Sequence, residues 1–181
     1  TVVGAIFGGI PTNKIGRKKT LFWIGILYFA SAIGAAFAND PFVFAAFRFI
    51  GGLGVGASTI AAPAYVSEIA PADKRGRLVA LYQFNIVLGI LIAFISNYFL
   101  KDIGENAWRW MIGVQAIPSL IYILFILTIP ESPRWLLSKN RDEEARKVLY
   151  TIDPSANIAD LIDDSRENGV TKHENIFMKK Y

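Results

Sequence analysis

The sequence contains no cysteine, a single histidine and only 19% charged residues among its 181 positions. The lack of cysteine excludes disulfide frameworks, thiol nucleophiles and cysteine zinc sites, and one histidine leaves little room for imidazole chemistry. We therefore expect no cofactor and no metal. The basic residues lie beside apolar stretches rather than along one soluble face, so we expect no nucleic-acid partner either.

Apolar residues are in excess, at 53% of the chain, and the mean hydropathy is +0.37. A hydrocarbon core about 30 Å thick needs roughly 20 apolar residues in a helix. One buried soluble helix could explain one such run, but several in succession would need an implausibly large covering shell. The sequence predicts an all-α membrane protein with spans at about 1–11 (truncated), 20–38, 42–66, 78–100 and 110–129.

Lysine and arginine are concentrated in alternate loops. The first loop carries Lys14, Arg17, Lys18 and Lys19, and the third carries Lys74, Arg75 and Arg77. The loops between them are poor in cations. The positive-inside rule places such loops on the cytoplasmic side. We therefore expect a multi-pass protein of the plasma membrane, in contact with its lipid bilayer, whose first loop, third loop and C-terminal tail are cytoplasmic.

The character of the chain changes at Pro130. We divide it into a membrane part, 1–129, and a cytoplasmic linker, 130–181, which carries short amphipathic helices. Asn140 and Glu143 have the spacing of a capping box, followed by apolar residues at helical intervals. A second amphipathic helix is predicted over about 157–168.

Two polar side chains stand out within the spans. Arg48 is the one cation inside a predicted span, and it must either pair with another group or extend to the lipid headgroups. Gln83 offers two donors and two acceptor lone pairs, which suits a polyol, although an amide can equally bond a neighbouring helix. Gln115 has the same two interpretations.

Four stretches occur in a characteristic order: 9–18 (GIPTNKIGRK), 48–56 (RFIGGLGVG), 68–76 (EIAPADKRG) and 130–136 (PESPRWL). Together they resemble the sugar porter family of the major facilitator superfamily. The resemblance implies that superfamily's fold, here an incomplete N-terminal six-helix bundle holding helices 2–6 and cytoplasmic linker helices. Helix 1 and the C-terminal bundle of a longer chain are then expected as its partners.

The resemblance also implies roles for particular residues. Gln83 matches a glutamine that hydrogen-bonds sugar hydroxyls, and three apolar residues on the same helical face would line the pocket: Ile86, Val87 and Ile90. Other charged residues match those whose salt bridges close the inner gate in the outward-facing state: Arg17, Lys18, Glu68, Arg75, Glu131 and Arg134.

The implied function is transport of a pentose or hexose by alternating access. We favour proton-coupled symport in the full-length parent, so that the sugar and a proton are the expected small partners. The alternatives are a transporter-like sugar receptor, or a carrier of polyols or other substrates. An enzyme is not expected, since the spans contain no nucleophile with a base and no set of metal ligands.

Overall fold

A computed structural model describes residues 1–70 and 74–152, without the side chain of Arg75. The helices of these residues are α1 (Val2–Ile15), α2 (Arg17–Phe37), α3 (Pro41–Ile69), α4 (Arg75–Leu100), α5 (Ala107–Gly113), α6 (Ala116–Thr128), α7 (Pro133–Ser138) and α8 (Asp142–Ile152). Among the described residues, four helical stretches are long and apolar enough to cross a membrane: Arg17–Phe37, Pro41–Ile69, Gly76–Leu100 and Ala107–Thr128. The helix predicted over 157–168 lies outside the described residues.

The last predicted span, 110–129, is not one continuous helix, because α5 and α6 are separated at Val114 and Gln115. Pro118 explains the interruption. Proline has no N–H with which to bond the carbonyl four residues earlier. The Val114 carbonyl instead accepts from the Ile117 N–H at 3.1 Å, a tighter turn that ends the regular helical pattern.

The start of α3 is fixed by its own sequence. Asp40 precedes the helix in an extended conformation, and its Oδ1 accepts from the N–H groups of Phe42 at 2.7 Å and Val43 at 3.3 Å. Pro41 takes the first helical position, where a missing N–H costs nothing. The connection between α2 and α3 is short, and the two helices pack against each other.

Helix α2 is the centre of the bundle, since it packs against α3, α5 and α6. Its apolar residues Leu21 and Ile24 are buried with Ala61 of α3 and Ile126 of α6. Gly25 lets α6 approach closely, because a Cβ there would lie 2.7 Å from the Ile123 side chain. Such small residues allow close helix packing where no hydrophobic effect drives helices together in lipid.

Helices α1 and α3 also make a close contact through small residues. Gly8 of α1 faces Ala57 of α3, and a Cβ on Gly8 would lie 2.7 Å from the Ala57 Cα. A Cβ on Gly4 or on Gly56 would likewise clash with backbone atoms of the opposite chain segment. Gly9, next in sequence to Gly8, faces open space.

Helix α4 differs from the others, because none of its described side chains is buried. It touches α3 and α5 but lies mostly clear of the core. An apolar helix of this length satisfies its backbone internally, so lipid or protein can cover its surface without leaving polar groups unpaired.

The segment after Pro130 forms α7 and α8, which pack together through Trp135, Leu136 and Ala145. The capping box predicted at Asn140 is wrong. Asn140 has φ +57° and ends α7: its N–H bonds the Leu137 carbonyl, and the next residue's N–H bonds the Leu136 carbonyl, both at 3.0 Å. Asparagine tolerates this left-handed conformation, so the residue acts as a C-terminal stop rather than a start.

The contact between α1 and α3 generates a stability prediction for the full-length protein. The change Gly8→Ala should lower stability by about 1–3 kcal/mol, because the added methyl meets the α3 backbone, which cannot rotate away. The matched control is Gly9→Ala, which should leave the melting temperature unchanged or slightly raised, since alanine favours helix by about 0.5–1 kcal/mol. Melting temperatures of the detergent-purified protein measure both. Equal melting temperatures for the two variants would contradict the close contact.

Candidate functional site

Arg17 and Glu68 form a two-pronged ion pair where α2 begins and α3 ends. The Arg17 Nε donates to Glu68 Oε2 and Nη2 donates to Oε1, each at 2.9 Å. The side chains are only 15% and 10% exposed, so water screens the pair little. Parallel N–H···O bonds of this kind fix orientation as well as distance. The expected gate residues Arg17 and Glu68 are therefore in direct contact.

Two further elements join this pair. The Ser132 hydroxyl, fully buried just before α7, donates to Glu68 Oε2 at 2.5 Å, and it accepts from the Trp135 N–H at 3.3 Å. The Arg17 Nη1 donates to the Thr12 carbonyl in the last turn of α1 at 3.2 Å. One carboxylate and one guanidinium thus connect α1, α2, α3 and α7.

Glu131 and Lys18 have main-chain partners instead. The Glu131 Oε1 accepts from the N–H groups of Lys18 at 2.9 Å and Ser132 at 3.0 Å. The Lys18 Nζ donates to the Leu127 carbonyl at 3.0 Å. Among the described side chains, which do not include that of Arg75, neither Glu131 nor Lys18 has an ion-pair partner.

The junction between α1 and α2 is a single residue, Gly16, with φ +101°. A Cβ at this position would lie 2.5 Å from Glu131 Oε2 and 3.3 Å from the Trp135 ring, so a side chain is excluded by both conformation and space. The Trp135 indole donates to the Asn13 carbonyl at 3.1 Å, which ties α7 to the end of α1. We call the five residues Arg17, Lys18, Glu68, Glu131 and Ser132 the polar cluster.

The other two expected gate residues are Arg134 and Arg75. Arg134 is exposed on α7, and it has no ion pair or hydrogen bond within the described part of the chain. Arg75 begins α4, and its side chain is outside the described atoms.

Sequence reasoning missed two residues at this site: Ser132 of the polar cluster, and Trp135, which ties α7 to the end of α1. The sequence does contain a local pattern that indicates a role for Ser132. Serine followed by proline is the pattern of a helix N-cap with proline at the first helical position, and this is its local role at the start of α7. No local pattern indicates that the same hydroxyl donates to a carboxylate 64 residues away.

The expected sugar-binding residues lie together on one face of α4. Gln83, Ile86, Val87 and Ile90 are all exposed, so the face that they form is open. Spacings of three, four and seven residues place them within one stripe of a helix. Asn85, two residues from Gln83, lies on the opposite side. The stripe offers one amide flanked by apolar side chains, which is the composition of a small-molecule site.

Arg48 lies beside a cavity of about 310 Å³ between α2, α3 and α6. Polar groups of Tyr28, Ser31, Gln115 and Ser119 share its lining. Arg48 has no carboxylate partner within the described residues. The interruption between α5 and α6 contributes Gln115 to this cavity, so Gln115 and Arg48, two of the polar span residues noted in the sequence, line the same space.

Comparison with known proteins identifies what this arrangement resembles. The family model described as "Sugar (and other) transporter" matches residues 1–180. The chain is 42% identical over 170 residues to the putative metabolite transport protein YwtG of Bacillus subtilis strain 168, covering 92% of this chain and 37% of that protein. It is 34% identical over 175 residues to the D-xylose-proton symporter of Escherichia coli K12, covering 83% and 36% respectively.

A solved structure agrees with these relatives. The xylose transporter XylE from Escherichia coli, in a partially occluded inward open conformation, superposes with a TM-score of 0.89 at 30% identity. The match covers 98% of this chain and 47% of that transporter. The chain therefore spans 37% and 36% of the two curated relatives and less than half of the solved transporter.

Proposed function

The chain belongs to the sugar transporter family of the major facilitator superfamily, and from this premise we propose that its full-length protein carries a monosaccharide across the plasma membrane by alternating access. The single observation that best supports this is the Arg17–Glu68 ion pair. It joins separate helices at one end of the bundle and is partly shielded from water. A contact of this kind is suited to being made in one conformation and broken in another.

The proposed gate works through a two-state equilibrium. A contact that exists in only one state shifts the population toward that state by its differential free energy, and a change of about 1.4 kcal/mol is a tenfold shift. We propose that the Arg17–Glu68 pair favours the outward-facing state by holding the inner ends of the helices together. Arg75 and Arg134 are proposed to pair with carboxylates of the C-terminal bundle.

The proposed orientation places the polar cluster at the cytoplasmic side. The helix ends on either side of Gly16 and the start of α4 carry most of the cations of the membrane part, as the positive-inside rule requires of cytoplasmic ends: Lys14, Arg17, Lys18 and Lys19, then Lys74, Arg75 and Arg77. The segment that follows Pro130 would then also be cytoplasmic. Aromatic residues support the assignment of the opposite end, where Trp108 and Trp110 lie at the start of the last span, a position typical of a membrane interface.

The proposed substrate site is the stripe of α4 that contains Gln83. Its amide would exchange hydrogen bonds with sugar hydroxyls, while Ile86, Val87 and Ile90 would contact the apolar faces of the ring. The relative named as a D-xylose-proton symporter supports a pentose or hexose as the substrate and a proton as the coupling ion. Arg48, which has no carboxylate partner among the described residues, lies beside a polar cavity, and a charged residue inside a span is more typical of a transport pathway than of a passive bundle.

The direct test is uptake of labelled xylose, glucose and arabinose by cells that produce the full-length protein, with and without a protonophore. We expect uptake of at least one sugar, and a collapse of accumulation when the proton gradient is removed. Accumulation that persists with the protonophore would be consistent with transport but would refute proton coupling. Sugar binding without any uptake would identify a receptor, and uptake of a polyol alone would identify a different carrier.

Gln83→Ala should weaken sugar binding to the full-length protein by about 1 kcal/mol or more, roughly fivefold in Kd, because one polar contact is lost. Asn85→Ala is the matched control, since it removes the same chemical group from the other side of α4 and should leave the Kd unchanged. Tryptophan fluorescence or calorimetry with the transported sugar measures both. An unchanged Kd for Gln83→Ala would remove the residue from the site.

Glu68→Gln should shift the full-length protein toward the inward-facing state, because a neutral amide cannot hold both prongs of the Arg17 guanidinium. Spin-label distances across the cytoplasmic side report the shift, and sugar binding should persist. Glu144→Gln is the control. Glu144 of α8 pairs with Arg141, the residue just before that helix, and the pair is exposed and local, so no shift is expected. An identical distance distribution for Glu68→Gln and the wild type would eliminate the gate role of this pair.

A further inference from the structure

A second cavity, of about 700 Å³, lies between the end of α2, the end of α4 and the helices α5 and α6. It is at the opposite end of the bundle from the polar cluster, because α2 begins at that cluster and ends at Phe37, which lines the cavity. Its volume is within the range of about 300–1,000 Å³ that is typical of small-molecule sites. Among the described residues it shares no lining with the cavity beside Arg48, so the two are separate.

The lining of this cavity changes from polar to apolar with depth in the membrane. Asn39 follows the end of α2 and Arg109 lies near the start of α5, so these polar side chains are at the ends of the spans. Ile33 and Ile117 lie deeper, and the step from Arg109 to Ile117 is about 12 Å along a helix. Ile117 is about halfway along the stretch Ala107–Thr128. A polar end at the interface and an apolar end in the hydrocarbon match the polarity of a phospholipid.

The Arg109 guanidinium is held at the polar end by three neighbours. Its Nη1 donates to the Ala36 carbonyl at 3.3 Å, and its Nη2 donates to Asn39 Oδ1 at 2.9 Å. Its Cζ lies 4.8 Å from the centre of the Trp108 ring, which packs edge-on against Phe44 of α3. The two hydrogen bonds use two of the five donors of a guanidinium, and both acceptors are neutral. The cation is therefore fixed in place by groups that do not cancel its charge.

Phosphate is the anion that this position favours. A guanidinium binds phosphate oxygens through parallel N–H···O bonds, and basic pockets between membrane helices bind lipid headgroups. Trp108 and Trp110 lie at the same end of the span as Arg109, and tryptophan is enriched at the headgroup level of membranes. Phe37 and Ile117 are exposed within the lining, so the ligand must also cover apolar surface. A free phosphate ion would leave that part of the cavity empty.

We propose that this cavity binds one phospholipid of the leaflet opposite the polar cluster, with its phosphate on Arg109 and an acyl chain extending past Ile33 and Ile117. The bound lipid would lie against α2 and α5, whose ends Arg109 already joins. It differs from the surrounding lipid in its requirement for a phosphate group at one position. The proposal depends on the membrane-spanning fold and not on sugar transport.

The test titrates the detergent-purified full-length protein with phosphatidylglycerol and follows the bound lipids by native mass spectrometry. Diacylglycerol with the same acyl chains is the matched ligand, since it lacks only the headgroup and its phosphate. We expect one phosphatidylglycerol to bind about tenfold or more tightly than diacylglycerol, because a hydrogen bond to a charged group is lost with the phosphate. An excess of inorganic phosphate should not displace the lipid, because the acyl chain contributes to its binding.

Two variants address the two ends of the cavity. Arg109→Gln should weaken the binding of one phosphatidylglycerol about tenfold. Lys101→Gln is its control, since Lys101 is a cation at the same end of the bundle, is half exposed and does not line the cavity. Ile117→Trp should weaken both lipids, because the larger side chain fills the apolar end. Leu124→Trp, at an exposed position of the same helix outside the lining, should change neither.

Several results would overturn the proposal. Equal affinities for phosphatidylglycerol and diacylglycerol would mean that the cavity has only apolar cover. Equal effects of Arg109→Gln and Lys101→Gln would indicate surface charge in general, and an unchanged affinity in Ile117→Trp would place the acyl chain elsewhere. If Arg109→Gln does not fold, Ile117→Trp still carries the test, because it keeps the Arg109 contacts. Absence of sugar uptake by the wild-type protein would refute transport and leave the lipid result standing.

Discussion

The Glu68 carboxylate is the group on which the contact of α2, α3 and α7 depends. Its two oxygens accept hydrogen bonds from Nε and Nη2 of Arg17 and from the hydroxyl of Ser132. Without that carboxylate the guanidinium would be a partly buried cation facing only a carbonyl, and the cost of leaving it so is larger than the value of an exposed pair. The close approach of α2, α3 and α7 at this end is therefore possible because one acceptor satisfies donors from both neighbours.

The helices could be predicted from the sequence because lipid imposes one requirement on every residue of a span. Backbone groups must be satisfied within the segment, so a long apolar run such as that of α2 has few alternatives to a helix. The interruption before Pro118 was harder to foresee, since α3 continues through Pro63 while the last span does not. The two prolines differ in how neighbouring turns rearrange around them, which depends on packing rather than on local pattern.

Some contacts of the polar cluster could likewise be predicted from the sequence, and others could not. Charged motifs indicated which residues would matter, and Arg17 with Glu68 are indeed paired. The partners of Lys18 and Glu131 could not be read from charge, because both bond main-chain groups that carry no signature in the sequence. Asn140 shows the same limit on a smaller scale, since one residue type serves either end of a helix and only the backbone conformation decides which.

The one-residue connection at Gly16 has a mechanical consequence. Because α1 ends at Ile15 and α2 begins at Arg17, the angle between the two helices is governed by the torsions of a single glycine. Helix α2 has 21 residues, and at 1.5 Å per residue it is a lever roughly 30 Å long. A rotation of about 10° at Gly16 would move its far end by about 5 Å. A torsional change at this joint would therefore be amplified along α2, up to about the length of a helical turn at its far end.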